Sequence, residues 1–257
     1  MKRNCMIRLL LLMMAVLLTG CASAAKIAEN QRVASAHRGL GEAYMGQQEY
    51  SRALREFMSA EELYPKDHLL QEDLGLAYLA KGATDKAIEH LKKSLKIKPD
   101  YSPARNNLGI AYIEKQDWKN AIDCFLKVKD DLTYLTPQYP LTNLGFVYYK
   151  MGDYQKAIKY LKEAIELKPD FPKAHHNLGL VYMATGDYAK AVSSIKRAVE
   201  LAPDEAPLYL DLGKAYKLDQ EYNKAYQAFK KAASLAKDNT SLKKEADKEA
   251  QDIWDMK

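Results

Sequence analysis

Cysteine is scarce in this sequence. Only three occur in 257 residues, at positions 5, 21 and 124, and the first two lie in or beside an apolar amino-terminal stretch. If that stretch is removed and Cys21 is modified, Cys124 is the one thiol that remains, so an intramolecular disulfide framework is excluded. Cys124 stands next to Phe125 and is expected to fill space in a helical core.

An excess of one charge is also absent. The chain has 39 Lys and Arg against 34 Asp and Glu, and three of the cations precede residue 9. A balance so even gives no basic stripe for nucleic acid. The sequence also has no phosphate-binding loop, nucleophile elbow or zinc-ligand spacing, and His175-His176 has no cysteine or carboxylate at ligand spacing. We therefore expect no enzyme activity, metal, nucleic acid or small-molecule substrate.

No apolar run is long enough to cross a bilayer. The longest, from Leu9 to Leu18, reaches about 15 Å as a helix, half of a hydrocarbon core about 30 Å thick. Lys2, Arg3 and Arg8 precede it, which is the charge pattern of a secretory signal peptide.

The end of this run carries a cysteine directly after two small residues. Leu18-Thr19-Gly20-Cys21 resembles the lipobox of bacterial lipoproteins. The resemblance implies cleavage after residue 20 and acylation of Cys21, with no other cofactor. Ala22 stands where the family has an aspartate for inner-membrane retention, which implies the outer membrane, facing the periplasm. The alternative of a plain secreted protein with a stray cysteine at this position stays open. Residues 21–33 are small and polar and predict a lipidated tether, at most about 40 Å long if extended.

A repeated motif fills the rest of the chain. Leu-Gly-x-x-Tyr begins at residues 40, 74, 108, 144, 178 and 212, in steps of 34, 34, 36, 34 and 34. Each copy is followed by an alanine and, four residues later, by a bulky apolar residue, as in Ala53 and Phe57. The motif resembles the tetratricopeptide repeat, which pairs two helices in 34 residues. Its glycine is expected where the second helix approaches the first most closely.

The repeats predict an all-α, right-handed superhelical solenoid. Each helical pair has an apolar face that only its neighbours can cover. The six predicted repeats span residues 34–67, 68–101, 102–137, 138–171, 172–205 and 206–239, and residues 240–257 predict a capping helix. Trp254 is expected to close over the last pair, and Pro137 and Pro140 discourage helix at the lengthened third-to-fourth junction.

In tetratricopeptide arrays the first helix of each pair lines a concave groove. Three rows on these helices are therefore candidate partner-binding residues. The first two rows are apolar in the middle four repeats, which predicts a covering peptide or helix from a partner protein. Alternatively, neighbouring first helices satisfy some of these contacts. The rows contain Leu76, Ile110, Phe146 and Leu180, then Leu79, Ile113, Tyr149 and Met183.

The third row contains Asn107, Asn143 and Asn177. Each side chain offers a donor and an acceptor to the backbone of an extended ligand, although asparagine is also common here for local reasons. The lysine clamp by which chaperone-binding members hold a terminal carboxylate is not expected, because the first row is apolar.

Taken together, the lipobox, six repeats and long junction resemble the outer-membrane pilotins of type IV pili, often called PilF, PilW or Tgl. The junction carries the family's threonine-aromatic-proline element as Thr133-Tyr134 and Pro137. The resemblance implies a non-enzymatic scaffold that helps a secretin subunit reach the outer membrane and assemble. The alternatives are an adaptor that recruits peptidoglycan hydrolases or proteases, and an accessory lipoprotein of barrel assembly.

Overall fold

The structure, a computed structural model, describes residues 25–236 and 239–255. The signal-peptide and Cys21 predictions lie outside these residues. The described part is all-α, with thirteen helices and no strand. Their bounds are α1 (residues 25–46), α2 (Tyr50–Leu63), α3 (His68–Ala80), α4 (Thr84–Ile97), α5 (Ser102–Glu114), α6 (Trp118–Lys129), α7 (Gln138–Lys150), α8 (Tyr154–Leu167), α9 (Pro172–Thr185), α10 (Tyr188–Leu201), α11 (Ala206–Leu218), α12 (Tyr222–Leu235) and α13 (Thr240–Asp255).

The chain forms two compact units, divided between Lys115 and Gln116. The first contains α1 to α5 and the second contains α6 to α13. Inside the first unit α3 packs against α4, and inside the second α7, α9 and α11 pack against α8, α10 and α12. The helices therefore pair in the order that the repeat predicts.

Close approach inside each pair depends on the repeated glycine. A Cβ at Gly41 would lie 2.4 Å from Cε1 of Phe57, and one at Gly145 would lie 2.4 Å from Cγ of Leu161. Both large side chains are fully buried. Gly75, Gly179 and Gly213 meet Leu91, Ile195 and Phe229 in the same way. The glycine prediction is confirmed at these five positions.

The turn between the paired helices has a backbone repeat that the sequence motif does not reveal. Six of the residues that the structure describes have positive φ, and they are spaced like the Leu-Gly motif. Three are glycines and three are glutamines, the latter with φ between 56° and 63°. The fold therefore requires a left-handed residue here, at a cost to a side chain with a Cβ. The six are Gln48, Gly82, Gln116, Gly152, Gly186 and Gln220.

Two segments differ from the expectation. Residues 25–33 of the predicted tether form the first part of α1, so they are not extended chain. Pro140 lies in the first turn of α7 and is buried, although it was expected to discourage helix. A first-turn residue has no intrahelical acceptor for its N–H, so proline costs little there.

The last helix, α13, packs on α12 and also contacts α11. It buries Ala246, Ala250 and Ile253. Trp254 remains 59% exposed and its ring lies 5.8 Å from that of Tyr226, so it covers the final pair only at its edge.

Candidate protein-interaction surfaces

The first two apolar rows lie on α3 and α5 in the first unit and on α7 and α9 in the second. All eight side chains are partly exposed, neither buried in the core nor fully open to solvent. Such residues can pack against a partner without unfolding the helices that carry them. Their role in binding stays a prediction.

In the second unit we define the α7–α9 face by Phe146, Tyr149 and Lys150 of α7 and by Lys173, Leu180 and Met183 of α9. The ammonium of Lys150 lies over the rings of Phe146 and Tyr149, 5.4 and 5.7 Å from their centres. Tyr149 is also 6.2 Å from the ring of Tyr154. Burial raises the pKa of the Tyr149 phenol.

The asparagine row is engaged mainly by the protein itself. Asn107 donates to Oε1 of Glu72 at 2.8 Å, and Oδ1 of Asn143 lies 3.5 Å from Nζ of Lys173. Asn143 and Asn177 are only 5% and 7% exposed. The amide nitrogen of Asn177 is buried with no hydrogen-bond partner. Asn107 thus donates to a carboxylate of the protein, whereas the buried amide nitrogen of Asn177 has no acceptor among the described residues.

A diagonal contact explains this arrangement. In each case, a side chain two positions before the leucine of the Leu-Gly pair bonds to a side chain in the next repeat. That second side chain is one position before the next repeat's leucine, 35 residues later in the sequence. Arg38 binds Asp73 at 2.6 Å, Glu72 binds Asn107, and His176 binds Asp211 at 2.8 Å.

Thr142 and Asn177 have the same spacing, yet Oγ1 of Thr142 and Nδ2 of Asn177 are both buried without partners. The threonine side chain is shorter than Arg38, Glu72 or His176 at the corresponding position. The diagonal row of side-chain contacts is therefore interrupted between α7 and α9.

Acidic groups surround the corresponding helices of the first unit. Arg38 binds both Asp73 and Glu42 at 2.6 Å, and Glu72 accepts from Tyr101 and Asn107 at 2.8 Å. Burial outweighs the ion pair with Arg38 and raises the pKa of Asp73 to about 6. Burial likewise raises the pKa of Glu72. Arg38 is thus shared by two carboxyl groups, and the third, Glu72, is bonded to neutral side chains.

The sixth repeat is covered by α13. Nζ of Lys214 lies 2.8 Å from Glu245, and Nζ of Lys217 lies 2.9 Å from Glu249. These lysines continue the first and second rows, so their charges are neutralised inside the protein.

Two apolar features lie outside the predicted rows. An open cavity of about 400 Å³ is lined by Tyr209, Tyr216, Lys224 and Lys231, among others. The junction between α6 and α7 exposes Leu132 and Leu135 at 100% and 94%. The sequence predicts a lengthened junction at this place but does not single out these two leucines.

The described residues contain no group of three or more metal-ligating side chains. None of the helices in that same part of the chain has the length and apolar character needed to span a bilayer.

Comparison with solved structures finds PilW, described as a widely conserved type IV pilus biogenesis factor. It is 26% identical, the match covers 86% of this chain and 98% of that one, and the TM-score is 0.74. Pseudomonas aeruginosa pilF is 18% identical over 89% and 100% of the two chains, with a TM-score of 0.72.

A structure of the APC/C hetero-tetramer Cut9-Hcn1 also has a TM-score of 0.74, at 17% identity over 86% of this chain and 42% of that one. The last two likenesses show the fold alone. No curated protein matches the sequence.

The sequence also matches known protein families over the repeats. The family described as TPR repeat matches residues 75–116 and 145–186. Two families described as tetratricopeptide repeat match residues 172–205 and 206–239. Together they cover more than half of the sequence, and the paired helices of both units agree with them. The chain is a member of the tetratricopeptide-repeat proteins, and it resembles the type IV pilus factors PilW and PilF.

Proposed function

We propose that this protein is a lipid-anchored scaffold of the outer membrane that assists a secretin subunit in reaching that membrane and forming its ring during type IV pilus biogenesis. The observation that carries the proposal is the match with PilW, which covers 86% of this chain and 98% of that one. The tetratricopeptide fold by itself supports a protein-binding role but does not identify the partner.

The proposed mechanism is co-localisation. Acyl chains on Cys21 hold the repeats at the membrane, and apolar side chains such as Phe146 and Leu180 bind a segment of the secretin. Tethering raises the local concentration of the bound subunit and so favours assembly. Two or more acyl chains are needed for stable anchoring, because a single chain binds membranes only marginally.

Deletion of the gene tests the proposal. We expect secretin rings resistant to sodium dodecyl sulfate to be lost while secretin monomer remains, and a plasmid copy to restore them. Rings that persist at normal abundance would refute the pilotin role. A peptidoglycan or barrel-protein defect in the same strain would favour the other adaptors.

A further inference from the structure

Charge on the α7–α9 face is of one sign. Helices α7 and α9 together contain two lysines, Lys150 and Lys173, and no aspartate or glutamate. Neither lysine forms an ion pair within the described residues, whereas Lys214 and Lys217 of the sixth repeat do. Both cations thus lack an ion-pair partner in the described part of the protein, while Asp211 of the neighbouring helix α11 is bonded to His176.

Lys173 receives little compensation for its charge from the protein itself. It is four residues before Asn177 and seven before Leu180, so the three share one side of α9. Its nearest polar contact is Oδ1 of Asn143, 3.5 Å away, which is a weak interaction at best. Although Lys173 is exposed, desolvation lowers the pKa of its ammonium, and no carboxylate opposes this effect.

The α7–α9 face combines apolar side chains with a lysine near the end of α7 and another near the start of α9. Lys150 lies over Phe146 and Tyr149, while Lys173 lies one helical turn before the interrupted Thr142–Asn177 contact, where a buried amide nitrogen has no acceptor. A ligand that places carboxylates near the ammonium groups and apolar side chains near the rings would compensate both.

We propose that the α7–α9 face binds an internal partner segment that combines apolar residues with aspartate or glutamate side chains, with Lys173 and Lys150 as the residues that select the acidic charge. This inference rests on the proposed binding role and names the chemistry of the bound segment. The first unit, with its excess of carboxyl groups around Arg38, is not expected to share this preference.

A library of random dodecapeptides displayed on phage tests the proposal. The carboxyl end of every peptide is joined to the coat protein, so only side-chain carboxylates are presented. Selection on the full mature chain is expected to enrich peptides that contain both leucine-like and acidic residues. Selection on Lys173→Gln should lose the acidic bias, and selection on Lys173→Glu should shift it towards lysine and arginine. Lys162→Gln, which alters an exposed lysine of α8, is the matched control.

Affinity measurements complete the test. For an enriched peptide made as a carboxy-terminal amide, Lys173→Gln should weaken binding by about tenfold, because a hydrogen bond to a charged group is lost. Rising salt should weaken the wild type more than the variant. Circular dichroism must show unchanged helicity.

The outcomes distinguish a failure of the proposed acidic preference from a failure of the proposed scaffold role. Enrichment of apolar peptides without acidic residues, or an acidic bias that survives in Lys173→Gln and Lys150→Gln, overturns the inference but leaves the scaffold role intact. Binding that requires a free terminal carboxylate overturns it as well. If wild type retains no more peptide than Phe146→Asp, the binding face itself is wrong, and the secretin-ring experiment still decides the pilotin role.

Discussion

Gly41 of α1 leaves the space that the ring of Phe57 in α2 occupies, since a Cβ there would lie 2.4 Å from the ring. The same helix contains Gly39, where an added Cβ would meet no atom of another part of the fold within 4 Å. Two glycines two residues apart therefore have opposite structural roles.

We expect Gly41→Ala to destabilise the protein by about 1–3 kcal/mol, because the added methyl overpacks a closed contact. Gly39→Ala should stabilise it by about 0.5–1 kcal/mol, because alanine is the better helix former. Urea unfolding followed by circular dichroism measures both. Equal effects would show that the helices can separate to admit a methyl group.

Gln220 has φ of 63° in the turn between α11 and α12. We expect Gln220→Gly to raise the free energy of unfolding by about 0.5 kcal/mol, since the left-handed conformation strains glutamine more than the extra freedom of glycine costs. The same chemical unfolding experiment gives the value. A decrease in stability would mean that the glutamine side chain makes a compensating interaction.

Asp73 should make stability depend on pH. Because its pKa is raised to about 6 in the folded chain, against about 4 when unfolded, protonation favours folding. Its contribution is complete below about pH 4 and is lost as the pH rises through 6. Between pH 5 and 7.5 wild type should lose about 1–2 kcal/mol more stability than Asp73→Asn. Parallel pH profiles for the two proteins would contradict this.

Phe146→Asp should abolish capture of the partner while leaving the fold intact, because this side chain is only partly buried. Met151→Asp, at an exposed residue just after α7, is the control and should bind normally. Copurification of secretin from cells, with circular dichroism of each variant, provides the measurement. Normal capture by Phe146→Asp would remove this side chain from the binding surface.

Cys21→Ala should release the protein from the membrane. With the acylated residue gone, no other apolar segment of the mature chain predicts an anchor. Fractionation of cells should move the protein from the membrane to the soluble fraction, and labelling with palmitate should fall to background. Membrane association that survives would point to another mode of attachment.

The sequence predicts the helical pairs well because their determinants are local. A glycine opposite a bulky residue is a steric requirement that recurs in each repeat, so the period reveals it. The sequence does not predict the helix over residues 25–33, although alanine, lysine, glutamate and glutamine are good helix formers. Its small, polar composition is equally typical of a tether.

The polar contacts between the first helices of neighbouring repeats cannot be predicted from the sequence, for a different reason. The pairing of Glu72 with Asn107 depends on the lateral offset between neighbouring first helices, which no single repeat encodes. The same offset places Lys173 beside Asn143. The lack of an ion pair at Lys173 becomes evident only when both α7 and α9 are in place.

The carboxyl end of the array is closed by α13, whose alanines pack on α12 and whose glutamates neutralise Lys214 and Lys217. The protein is thus self-terminating: a seventh repeat could extend the stack only by displacing this helix. Engineers who wish to lengthen the array should insert new repeats before residue 206, where the existing stop remains in place.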